Sequence, residues 1–167
     1  MIKITLNPAR TLVLLNNLYT KYDARAFGQV MQLILSKGFS MAGYKVTYNQ
    51  IGVPDFIAVS AQISKGYAVE VKTSGEGAIS LSKRDLEGVT NSGYTPVVAI
   101  LNYPDSDPKW YFIDAVSLVP IRYKMYSIIR KPNVIMDFDA NSSFRESLLK
   151  YYDYAMEGKQ ALRNVIR

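Results

Sequence analysis

Residues 53–73 read VPDFIAVSAQISKGYAVEVKT, two apolar runs joined by a short polar stretch. Val, Ile, Phe and Tyr dominate both runs, which therefore read as strands near Val53–Ser60 and Tyr67–Thr73. Side chains alternate along a strand, so Glu70 and Lys72 share one face while Val69 and Val71 take the other. If the strands pair through the turn AQISKG, Asp55 at the start of one lies near Glu70 towards the end of the other. Two adjacent carboxylates repel unless a proton or a cation intervenes.

The flanking segments complete an α/β pattern. Upstream, Thr11–Tyr19 and Asp23–Lys37 place apolar residues near a 3.6-residue period, with Asp23 as N-cap and Gly38 as the expected stop. The opening MIKITLNPAR carries no clear signal. Tyr44–Asn49 reads as a strand. Downstream, Ser80 or Ser82 caps a helix over roughly Leu81–Asn91, with Asp85 three residues after Ser82 in capping-box position. Thr95–Leu101 (TPVVAIL) suits a strand buried on both faces, and Trp110–Ile113 a further strand. Tyr123–Ile129 reads as another strand, and Ser142 to about Val165 as one long helix whose stripe of Phe144, Leu148, Tyr151, Tyr152 and Met156 packs on its own domain or on a second copy. The order predicts a central mixed sheet of about five strands flanked by helices, in a single domain.

Composition narrows the chemistry. The 167 residues are 49% hydrophobic and 20% charged, as in a core-forming chain. There is no Cys and no His, which excludes disulfides, thiolate or imidazole zinc sites, Cys nucleophiles and Ser-His-Asp triads. Hydrolytic chemistry must then run on carboxylates, Lys or a hard cation. Twenty Lys plus Arg against fourteen Asp plus Glu give +6 and a pI of 9.4, favouring a polyanionic partner, nucleic acid ahead of an anionic membrane surface. No apolar run nears the ~18 residues of a spanning helix and no signal peptide is visible, so a soluble cytoplasmic protein is expected.

Taken alone, Glu-x-Lys on a strand is more often a solvated ion pair, and Pro-Asp a turn signal. Here both motifs sit in apolar strands at hairpin-compatible spacing, between two helices, in a basic chain. With oxygen ligands only, Asp55 and Glu70 suit Mg²⁺, with Mn²⁺ as the alternative. Lys72 beside the ion orients or deprotonates the attacking water and offsets charge developing on a phosphate. Hydrolysis of a phosphodiester is the reaction this equipment fits.

The segments LSKGF (35–39), VPDFIAV (53–59), YAVEVKTS (67–74) and LSKRDLEGVTNSGYTPVVAILN (81–102), followed by WYFID (110–114), resemble in order and spacing the PD-(D/E)XK nuclease superfamily. Within it they look most like archaeal-type Holliday junction resolvases, over about Ala24–Val116. The resemblance implies a restriction-endonuclease-like core at about 23–119 with an extension at 120–167, and Asp55, Glu70 and Lys72 as catalytic residues. It also implies Mg²⁺ held by Asp55, Glu70 and the Val71 main-chain carbonyl, and a homodimer cutting branched DNA. The helical glutamate of such enzymes maps near Phe27, with Gln29 the nearest polar side chain and a candidate to hold a metal-bound water.

Candidate DNA contacts are Lys83 and Arg84 at the helix start, Lys45 and Lys65 near turns, and Arg122, Lys124, Arg130 and Lys131 interleaved with Tyr123 and Tyr126. Each also suits an ordinary solvated surface, and basic edge strands suppress aggregation. A restriction-like or single-strand-specific nuclease, or a DNA-binding protein with impaired cleavage, fits the same residues.

Overall fold

A computed structural model of the chain describes residues 6–49, 52–62 and 65–166. Helices α1 (Pro8–Lys21) and α2 (Ala24–Met41) come first, followed by strands β1 (Tyr44–Tyr48), β2 (Phe56–Ser60), β3 (Gly66–Thr73) and β4 (Ala78–Ser80). Then come α3 (Lys83–Thr90), β5 (Thr95–Leu101), β6 (Trp110–Asp114), β7 (Arg122–Lys124), α4 (Met125–Ile128), α5 (Ala140–Glu157) and α6 (Lys159–Ile166). Five strands form one sheet in the order β1-β2-β3-β5-β6, and β4 and β7 form a separate ribbon. Only β3 and β5 run parallel, so the sheet is mixed.

Alternation along the strands divides the interior into two layers. Phe56, Tyr67, Val69, Val97, Ala99 and Phe112 face α1, α2, α5 and α6. Ala68, Val98, Ile100 and Ile113 face α3 and the β4–β7 ribbon. At the centre of the larger layer, the Phe39 ring meets those of Tyr44, Phe56, Tyr67, Phe112 and Phe138 with centroids 5.0–6.3 Å apart, distances that suit offset aromatic contacts.

Several sequence expectations change. Gly38 does not stop α2. A Cβ there would lie 3.1 Å from the Ser143 backbone, so its small size lets α5 approach, and the helix ends before Gly43 at φ +98°. The segment expected as a strand over Tyr123–Ile129 divides: Arg122–Lys124 pair with β4, and Met125–Ile128 turn into α4. The long C-terminal helix divides at Gly158, a poor helix former, into α5 and α6, which bury Phe144, Leu148, Leu162 and Ile166. The apolar stripe of α5 lies against α2 of its own chain. The unassigned N-terminal stretch holds the start of α1, whose cap is Asn7, its side chain accepting from the Arg10 N–H. The turn expected over AQISKG includes residues 63–64, outside the described residues.

Candidate active site

Pairing of β2 with β3 sets Phe56 opposite Val69, so Asp55 arrives beside Glu70. Asp55 Oδ2 accepts the Val71 N–H at 2.7 Å, and its main-chain carbonyl accepts the Asn49 N–H at 3.0 Å and the Gln32 amide at 3.5 Å. The aspartate is therefore held from β1, β3 and α2 together. Glu70 is buried, with its Oε1 3.1 Å from Lys72 Nζ, and its Oε2 is buried without a hydrogen-bond partner.

Lys72 makes a second contact that the sequence reading missed. Its Nζ lies 3.1 Å from Asp85 Oδ2, and that same oxygen accepts the Ser82 N–H at 2.9 Å. Ser82 Oγ in turn accepts the Asp85 N–H at 3.0 Å, completing the capping box. The start of α3 is thus fastened to β3 through the lysine. The Ser-x-x-Asp signal was visible, but as a cap alone; that α3 packs its first turn on the Glu-x-Lys face is a tertiary fact.

Burial and then the neighbouring Asp55 charge push Glu70 up to about 8, against the opposing pull of Lys72. Burial also raises Asp55, in spite of the Val71 N–H and Lys72. For Lys72 desolvation disfavours the charge, but Glu70 and Asp85 outweigh it and hold the ammonium above its usual range. Burial opposes the Asp85 charge too; the Ser82 N–H and Lys72 prevail and keep it below the usual carboxylate range. The centre is short of positive charge on its Asp55–Glu70 side and satisfied on its Asp85 side.

No family model and no curated protein matches this sequence. Among solved structures, the chain is similar to Hjc of Archaeoglobus fulgidus, a Holliday junction resolvase from an archaeal hyperthermophile. The TM-score is 0.52 at 18% identity, covering 64% of this chain and 91% of that one. The fold is nuclease-like. At that identity the likeness speaks for the architecture: a mixed five-stranded sheet flanked by helices.

Within this nuclease-like fold, Lys83 and Arg84 occupy the first turn of α3, beside the Asp85–Lys72 bridge, and line a groove with Val53, Gly88 and Asn91. Lys83 also reaches Glu87 at 3.5 Å. Arg122 pairs with Ser80 and the Leu81 N–H bonds the Ile121 carbonyl, so the ribbon meets the same helix start. Lys124 stands opposite Ala78, further along the ribbon, and Arg130 is exposed beyond α4. Lys45 alternates onto the sheet face of Glu70 but sits towards the other end of β1, opposite Val59. Lys65 pairs with Asp137 at 3.4 Å, away from the centre.

Gln29 does not join the cluster: its Oε1 accepts from Lys159 Nζ at 2.6 Å. Phe27, at the position where the resemblance expects a glutamate, is buried with its ring 5.1 Å from Tyr19 and 5.4 Å from Tyr103. Among the described residues no group of three Asp, Glu, His or Cys side chains is arranged to hold a metal. What the centre offers is two carboxylates, one with a buried unpartnered oxygen. That set fits Mg²⁺, which commonly takes one or two carboxylates and keeps several waters. No helix among the described residues is long and apolar enough to cross a membrane.

Proposed function

We propose that the chain is a divalent-metal-dependent DNA endonuclease of the PD-(D/E)XK type, hydrolysing phosphodiester bonds and favouring branched DNA. The observation that carries this reading is the convergence of Asp55, Glu70 and Lys72 on one sheet face, with Glu70 Oε2 buried and lacking a partner. Asp55, Glu70 and the Val71 carbonyl would hold Mg²⁺ or Mn²⁺. When bound, the ion offsets the two carboxylates and polarises a phosphoryl oxygen.

The chain's own groups do the rest. Lys72, held between Glu70 and Asp85, would orient the attacking water and meet negative charge developing on the phosphate. Asp85 fixes the ammonium in place. Lys83, Arg84 and Arg122 give the DNA backbone a cationic approach around the start of α3, with Lys124, Arg130 and Lys45 further out. A homodimer would present two such centres to opposed strands, and its solution mass is the direct test.

Cleavage of linear duplex, single-stranded, flap and four-way-junction DNA in Mg²⁺, Mn²⁺ and EDTA tests the reading. Wild type is expected to cut branched substrates only with metal, and Glu70→Gln to cut none. Equal activity in the two proteins sinks the assignment. Tight junction binding without cleavage in either metal points instead to a binding protein, a reading favoured by Phe27 standing where the family resemblance expects an acid.

A further inference from the structure

The catalytic cluster leaves unused a groove at the carboxyl ends of β3 and β5. These strands are parallel, with Thr73 opposite Leu101, so the segments after them leave the sheet on the same edge. Gly77 from the first and Tyr103 and Asp105 from the second line a groove of about 400 Å³, closed on its other side by Met125, Tyr126 and Ile129. The Met125 N–H bonds the Gly77 carbonyl at 2.8 Å, which fixes α4 against the segment that leaves Lys72. The volume of about 400 Å³ falls within the range of about 300–1,000 Å³ usual for small-molecule sites.

Its walls and rim differ in kind. Tyr103, Met125 and Ile129 are buried or half-buried, whereas Tyr126 is 57% exposed. Lys124 Nζ lies 5.8 Å from the centre of the Tyr126 ring. Residues 122–131 contain Arg122, Lys124, Arg130 and Lys131 and no acid. An apolar slot fronted by an accessible aromatic ring, with the Lys124 ammonium beside that ring, matches a group that is flat and apolar on its faces and joined to phosphate. Asp105 would meet base amino groups rather than phosphates, since a carboxylate accepts from such donors. In an intact duplex the faces of the bases are already stacked, so only an unpaired nucleotide has a face to give.

We propose that this groove binds an unpaired nucleobase of single-stranded DNA, stacked on Tyr126, with Lys124 and Arg130 holding the adjoining phosphates. The proposal deepens the nuclease reading, on which it rests for the choice of DNA. It assigns to the centre a substrate with a frayed or single-stranded arm leaving past Gly77. Stacking on an aromatic side chain is tolerant of sequence, so the groove would select strand state rather than base order.

The test is binding, in EDTA, of a short oligonucleotide carrying 2-aminopurine and of the matching duplex, to wild type, Tyr126→Phe and Tyr126→Ala. Because Tyr126 projects into solvent, neither change threatens the fold. Tyr126→Ala is expected to weaken single-strand binding by about 5- to 150-fold, with loss of the 2-aminopurine signal. Duplex binding should stay within about twofold, and Tyr126→Phe should behave as wild type. Undiminished single-strand affinity in Tyr126→Ala, or an equal loss for duplex, overturns the proposal. Cleavage in Mg²⁺, assayed alongside with Glu70→Gln as control, separates the two readings. Absent cleavage with Tyr126-dependent binding removes the nuclease and leaves the groove standing; normal cleavage with Tyr126-independent binding removes the groove alone.

Discussion

The two faces of β3 divide labour within one strand. Towards α2 and α5 it presents Tyr67, Val69 and Val71 to a thick apolar layer. Towards α3 it presents Glu70 and Lys72 beside a smaller apolar cluster. On the first face every buried side chain gains by being there, since burying apolar surface is favourable. On the second, Glu70 is buried at a cost that Lys72 offsets only in part, leaving one oxygen unpartnered. The dry face fixes the strand, and the fixed strand holds charges in an arrangement that would relax on a softer support.

If the faces divide in this way, one substitution on each should fail in opposite respects. Glu70→Gln is expected to lower cleavage by about 10²- to 10³-fold while leaving the metal-free fold as stable as wild type or more so, because it removes a carboxyl that the fold forces either to keep a proton or to bury a charge. Phe39→Ala, at the centre of the aromatic cluster, should lower stability by about 3–5 kcal/mol with cleavage persisting in whatever fraction stays folded. Urea denaturation together with single-turnover cleavage gives both readings. A large stability loss in Glu70→Gln would mean that the charged face is structural.

Glu70 also makes the contrast pH-dependent. Its carboxyl titrates near 8 in the folded protein against an ordinary 4.5, so between those values the folded state keeps a proton the unfolded chain has lost. Stability of the metal-free protein is therefore fully present below about 4.5 and declines as pH rises towards 8, with Asp55 acting in the same direction. Thermal melts across that window in EDTA should show the fall, and Glu70→Gln should flatten it. Added Mg²⁺ should stabilise more at the alkaline end, where it competes with fewer protons. A flat wild-type profile would contradict the crowding of the two carboxylates.

Much of this was legible in the sequence, because strand alternation is a local rule. The Glu70–Lys72 face, the apolar run of β5 and the capping box at Ser82 all follow from spacing of a few residues. What was not legible depends on partners far along the chain. Ala78–Ser80 is too short to signal a strand, and it becomes one only because Arg122–Lys124 lie against it. Gly38 looks like a stop until α5 is packed on it. Asp85 looks like a cap until Lys72 is placed beneath it, and Gln29 like a free carbonyl until α6 brings Lys159 to it.

Asp85 sharpens the comparison at intermediate size. Asn retains an oxygen for the Ser82 N–H but loses the charge that holds Lys72, so Asp85→Asn should slow cleavage by about 10- to 100-fold. Stability should fall by about 1–3 kcal/mol, since the cap survives but the half-buried Lys72 ammonium loses a charged acceptor. With Lys72 then balanced by Glu70 alone, the pH profile of cleavage should also move, which a merely structural role would not produce. An unchanged rate and profile would leave Lys72 positioned by Glu70 and β3 alone.

The smallest expected effect lies near the start of α2, where that helix approaches the end of β3. Lys159 donates to Gln29 there, and Gly28, one residue before, lies close enough to β3 that a Cβ would come within 3.1 Å of Thr73 Oγ1. Lys159→Ala removes one hydrogen bond from a charged donor at a half-buried position and should cost about 1 kcal/mol. It leaves Asp55, Glu70 and Lys72 with every contact they have, so the Mg²⁺ concentration for half-maximal cleavage should not move. A lower requirement in Lys159→Ala that Gln29→Ala abolishes would show Gln29 serving the cation once released, and the line between the supporting and the charged face would then pass through α2 rather than along β3.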